Sequence, residues 1–81
     1  MISCALHDYI EIACLYGYPV ELLLRDGSSH QGNAKTTRTG DNRREYLVID
    51  QGADGLREID LESLQQMRAL SPNPHFDKVD F

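Results

Sequence analysis

Two spacings of apolar residues alternate with polar punctuation along this chain. Over residues 6–16, Leu6, Ile10, Ala13 and Cys14 recur at the i, i+4, i+7, i+8 interval that places one stripe along a helix. Gly17 and Pro19 follow and supply a stop signal. After Pro19 the period falls to two. Residues 20–25 read as a strand, and Asp26-Gly27 marks a turn. Residues 28–37 continue as a polar second strand, with Gly32 inside it predicting a bend or bulge. Residues 39–42 form a loop. The sharpest strand signal is EYLVIDQ, residues 45–51. A Gly-Ala-Asp-Gly turn follows, and residues 56–61 return with Ile59 and Leu61 facing inward. Hairpins this close in sequence predict a small, strongly bent antiparallel sheet.

Residues 62–70 (ESLQQMRAL) carry two readings. Helix propensity favours a helix, with Asp60 placed to cap it. As a strand the segment sets Met67 and Ala69 on one face. The remainder, residues 71–81, holds two prolines and little periodicity, which predicts a loose C-terminal tail with Phe76 or Phe81 tucked onto the body. The fold class expected is mainly β with one N-terminal α-helix, as one domain over residues 1–70.

Charge adds information through its distribution. The 81 residues carry a formal net charge of −5, from 13 acidic and 8 basic side chains. Residues 1–24 hold Asp8, Glu11 and Glu21 and no Lys or Arg. The basic groups gather in residues 25–45, as Arg25, Lys35, Arg38, Arg43 and Arg44. Nucleic-acid binding draws its free energy from cations that neutralise phosphates. An acidic chain with an acidic first third suits a basic partner better, or a surface that ordinarily holds nucleic acid. On a helical wheel, Asp8, Glu11, Ile12 and Leu15 fall on the face opposite the buried stripe. That mixed acidic and apolar face is the candidate docking surface, set against the plainer reading of a solvated face with stray hydrophobes.

Other chemistry finds little support. Cys4 and Cys14 are expected as free thiols, since a helical spacing of ten residues separates the sulfurs too widely for a disulfide. Cys4, His7 and Cys14 lack a fourth ligand for a metal. Ser28, Ser29 and His30 are contiguous and so diverge, and no glycine-rich phosphate loop is present. The protein is read as no enzyme, with no cofactor and no metal. No apolar run approaches the roughly 18 residues that cross a bilayer. The opening fourteen residues hold no basic group, unlike a signal peptide, so a cytoplasmic protein is expected.

The residues Ile2, Cys4, Asp8, Glu11, Ala13 and Cys14, then Glu21, Leu22 and Leu24 before Asp26-Gly27, form an ordered series. It continues through Ala34, Glu45-Tyr46-Leu47-Val48, and Arg57-Glu58 to Leu61. In order and spacing this series resembles the Rof (Rho-binding antiterminator) family, over about residues 2–70. The resemblance implies an Sm-like small antiparallel β-barrel or sandwich behind one helix, with residues 62–64 as a short turn and 65–70 as a last strand. It implies a protein, monomeric when free, that binds the N-terminal, RNA-capturing region of the hexameric helicase Rho and so inhibits Rho-dependent termination (antitermination). Carried over by position, the helix contributes His7, Asp8 and Glu11, and the loop before EYLV contributes Arg43 and Arg44. Two carboxylates at i and i+3 lie about one turn apart and can offer charged acceptors to Lys or Arg groups. The competing expectation is an Sm-like RNA-binding module that uses Lys35, Arg38, Arg43 and Arg44.

Overall fold

Ser3 starts the helix by accepting the Leu6 backbone N–H on its hydroxyl at 3.3 Å. The computed structural model describes residues 3–81. The helix, α1, spans Cys4–Tyr16. Gly17 ends it in the left-handed region (φ 65°), where its own N–H and that of Tyr18 satisfy the carbonyls of Cys14 and Ala13 at 3.2 and 3.0 Å. A residue with a Cβ is strained at that φ, and Pro19 then starts the first strand. As the periodicity predicts, Ile10 and Ala13 are fully buried, while Leu6 and Cys14 pack against the same cluster.

Six strands follow: β1 (Pro19–Leu24), β2 (Ser29–Thr39), β3 (Glu45–Asp50), β4 (Leu56–Asp60), β5 (Leu64–Ala69) and β6 (Lys78–Asp80). They form one antiparallel sheet in the order β4-β3-β2-β1-β5-β6, and α1 packs over β2. Only Leu61–Ser63, a single 3₁₀ turn, joins β4 to β5, four strand positions apart. On a flat sheet that separation is roughly 19 Å at about 4.8 Å per strand. The chain from Asp60 to Leu64 reaches at most about 14 Å. The sheet is therefore rolled until its ends approach, and residues from α1 and all six strands meet in one cluster.

The eleven-residue strand β2 makes the roll possible. Its first half pairs with β1 and its second with β3, and Asn33 takes part in both ladders. The register shifts between Ala34 and Thr36, so the bulged residue is Lys35. The bend foreseen from Gly32 is thus displaced by three positions. Gly32 serves a close approach instead, since a Cβ there would lie 2.8 Å from the Asp50 carbonyl oxygen.

Residues 62–70 adopt the strand reading. Asp60 does cap, its carboxylate accepting the Glu62 N–H at 2.9 Å, but the capped element is the 3₁₀ turn. Leu61, Leu64 and Met67 are all buried at a spacing of three, which mimics a helix. The turn sets the first interval. The second comes from a bulge, because Leu23 pairs with Gln66 and Leu24 with Leu64, leaving Gln65 over.

The loose tail expected over residues 71–81 is corrected. Residues 78–80 are strand β6, paired with β5, and Phe76 and Val79 join the core. The missing periodicity reflects only two anchors, Val79 and Phe76, and the Phe76 ring meets Tyr9 edge-on at 6.0 Å and Tyr18 at 6.1 Å. The Asn73 side-chain oxygen organises the bend by accepting the N–H groups of His75 and Phe76 at 2.9 and 3.0 Å. No helix among the described residues is long and apolar enough to cross a membrane.

Candidate functional site

With Ile10 and Ala13 turned inward, α1 presents three strips of surface. The flank toward β3 carries His7. Its Nδ1 lies 3.4 Å from Glu11 and its Nε2 lies 3.2 Å from Glu45, the first residue of β3. A neutral imidazole has one N–H and can serve one of these carboxylates, whereas an imidazolium serves both. Either way, the ring ties the helix to the start of the EYLV strand, directly after the loop of residues 40–44. The helix and loop singled out from sequence are therefore neighbours, and the link between them is Glu45, which sequence reasoning left out. No local signal marks it, because the contact spans 38 residues.

The outer strip carries Asp8, Glu11 and Leu15, all exposed, with Leu15 76% exposed. Asp8 makes no hydrogen bond or ion pair among the described residues. The third strip faces the C-terminal segment. Here Ala5, Asp8, Tyr9 and Ile12 form one wall of an open groove, and Pro74 and His75 form the other. Ile12 is half-buried in this wall. The groove was not legible from sequence, because its second wall was read as a loose tail.

The loop itself is tightly closed. The Gly40 N–H donates to the Arg44 carbonyl at 2.8 Å and the Arg43 N–H to the Gly40 carbonyl at 2.9 Å. Arg43 holds a positive φ of 65°, and its side chain is exposed. Arg44 pairs with Asp60 at 3.0 Å. Three other arginines are also engaged. Arg38 pairs with Glu58 and lies over the Tyr46 ring, 5.2 Å from its centroid. Arg68 meets Glu21 at 2.7 Å. Arg25 donates to the carbonyls of Glu62 and Phe81 at 3.2 and 3.4 Å. The guanidinium partners hold the carboxyls of Glu21 and Glu58 below the usual carboxylate range. Lys35 and Arg43 form no ion pair among the described residues.

Both cysteines are free thiols. Burial, with a smaller contribution from Glu11, pushes the Cys14 thiol up to about 11, so it stays protonated and packs as an apolar residue. Cys4 is exposed at the start of α1.

No curated protein matches the chain. The solved structure of magnesium-bound YaeO from Vibrio cholerae O395 is similar, with a TM-score of 0.85 and 34% sequence identity over 91% of this chain and 95% of that one. A family model described as "Modulator of Rho-dependent transcription termination (ROF)" matches residues 1–81. A match along the whole length, joined to a shared fold, makes this chain a member of the ROF family of modulators of Rho-dependent transcription termination.

Proposed function

We infer that this protein inhibits Rho by laying the acidic strip of α1 on the N-terminal surface through which Rho captures RNA. The observation that carries this reading is the contrast in pairing. Asp8 has no partner among the described residues, and Glu11 and Glu45 are held side by side through His7 at the protein surface. A surface that binds RNA presents Lys and Arg groups. Outward-facing carboxylates one helical turn apart offer those groups charged acceptors in place of phosphates. Arg43, exposed beside Glu45, meets an acidic or carbonyl group at the rim, and Ile12 and Leu15 add apolar contact. The protein acts by occupying the RNA site, as a monomer, and does not itself hold RNA.

The RNA-binding alternative has lost most of its cations. Of the four residues it needs, Arg38 and Arg44 are paired within the protein, and Lys35 sits at the β2 bulge apart from the loop.

Fluorescence anisotropy with single-stranded, cytidine-rich RNA tests the reading. Addition of the protein should release RNA from purified Rho, and RNA should in turn compete the protein away. Tight binding of RNA by the protein alone would overturn it. So would a stable complex of all three with RNA in its usual place on Rho. If RNA stays at its first site while ATPase activity falls, Rho's ring is being kept from closing instead.

A further inference from the structure

The groove between α1 and the C-terminal segment has a composition with one chemical consequence. Ala5, Tyr9, Ile12 and Pro74 line it with apolar or aromatic groups, and the His75 ring stands beside Pro74 in the second wall. Its single charged lining group is Asp8, exposed and without a partner among the described residues. No Lys or Arg among the described residues lines it. The groove is also preformed. Asn73 fixes the turn that carries Pro74 and His75. Phe76 pins that turn to Tyr9 from beneath. The His75 ring is stacked on Tyr16 at 5.2 Å.

A groove of mixed lining, with apolar side chains, aromatic rings and one carboxylate, matches a long side chain with an aliphatic stem and a flat cationic head. We propose that this groove receives one arginine side chain from the RNA-capturing surface of Rho. The stem lies along Ile12 and Ala5. The guanidinium donates to the Asp8 carboxylate and rests against the rings of Tyr9 and His75. Arginine fits better than lysine, because a planar head stacks on rings while still reaching a carboxylate. The assignment rests on the reading that the acidic face of α1 meets Rho, and it makes Asp8 and Ile12 the specificity-determining pair on that face. It also gives the C-terminal segment a role in recognition.

The test measures Rho affinity for four variants whose melting curves match wild type. Ile12→Trp fills the groove, Asp8→Asn removes its charge, and His75→Ala removes part of its second wall. Glu11→Gln removes a charge outside it. Filling the groove or neutralising Asp8 should weaken binding at least about tenfold, chiefly by faster dissociation, as expected when a desolvated charge pair is broken. His75→Ala should weaken it less, and Glu11→Gln least, mainly through slower association. If folded Ile12→Trp and Asp8→Asn bind as wild type while a charge-reversed Asp8→Lys, Glu11→Lys variant does not, the groove proposal is overturned and the interface survives. If the charge-reversed variant also binds normally, the interface reading falls first. A measurement free of Rho completes the test. N-acetyl-arginine methylamide, titrated at millimolar concentration, should shift the His75 ring resonances more than N-acetyl-lysine methylamide does. Equal shifts, or none, would overturn the arginine assignment.

Discussion

Two surfaces of this small protein use the same residue types to opposite ends. On the sheet, three acids are matched by arginines: Glu21 with Arg68 and Glu58 with Arg38 across strands, and Asp60 with Arg44 of the loop before β3. Near α1, the acids meet only His7 or nothing: Glu11 and Glu45 share the imidazole, and Asp8 stands alone among the described residues. The net charge of −5 is therefore functionally uneven. Exposed ion pairs contribute little to stability, and their main effect here is to cancel charge on the sheet. Under the proposed function, the uncancelled carboxylates are the groups that draw the basic surface of Rho. Composition gives the same total for both arrangements, so only the pairing tells them apart.

Charge reversal gives the largest expected break in that contrast. Asp8→Lys with Glu11→Lys should weaken Rho binding by about a hundredfold or more, as for a charged hot spot turned repulsive. The melting temperature should barely move, since exposed substitutions are usually within about 0.5 kcal/mol. The matched control is Glu21→Gln with Glu58→Gln on the sheet, which should leave Rho affinity as it was. Equal losses from the two double variants in a binding titration would erase the distinction between the surfaces.

Much of this was readable in the sequence, and the limits have physical reasons. The α1 stripe, the Asp26-Gly27 turn and the EYLV strand are local signals, each carried by neighbours within one element. The acidic outer face followed from the same helical wheel, and Asp8 and Glu11 do lie on it, exposed. Position 62 onward failed as a propensity argument because a 3₁₀ turn and a bulge reproduced a helical spacing at Leu61, Leu64 and Met67. The family resemblance set the turn and strand there correctly, one residue late at the start. The tail was misjudged because three-residue strands have no period to detect, so β6 shows only through its partner β5. The arginine pairings and the His7–Glu45 contact join distant positions, which only the rolled sheet brings together.

Salt should separate the surfaces next. Raising ionic strength from about 50 mM to about 500 mM shrinks the Debye length several-fold. Rho affinity should fall roughly tenfold across that range, mostly through slower association. Stability should change little. A flat affinity, read by surface-based or stopped-flow kinetics, would move the centre of the interface to the apolar pair Ile12 and Leu15.

A smaller effect is expected from the link between helix and strand. His7→Ala removes the ring that both Glu11 and Glu45 approach, leaving two carboxylates to repel. Rho affinity should drop a few-fold, and amide exchange should rise in the first turns of α1. His7→Gln, which keeps a donor amide, should recover part of the loss. Unchanged exchange in His7→Ala would mean that core packing through Ile10 and Ala13 alone sets the helix position.

Acid should reveal the smallest difference, and it isolates the paired surface. Hydrogen bonds from Arg68 and Arg38 lower the Glu21 and Glu58 carboxyls relative to their ordinary values. A group whose folded-state value is depressed adds stability above its unfolded-state value and loses it as pH falls toward the folded one. These two residues therefore support the fold at neutral pH and give up that support below the ordinary carboxylate range. The Glu58 side chain is exposed and that of Glu21 only half-buried, so solvent screening keeps the effect small. Wild type should show a modest decline in melting temperature on acidification that Glu21→Gln with Glu58→Gln lacks in part. If the sheet variant declined on acidification just as wild type does, the hydrogen bonds from Arg68 and Arg38 would not be what supports the fold through these two carboxyls.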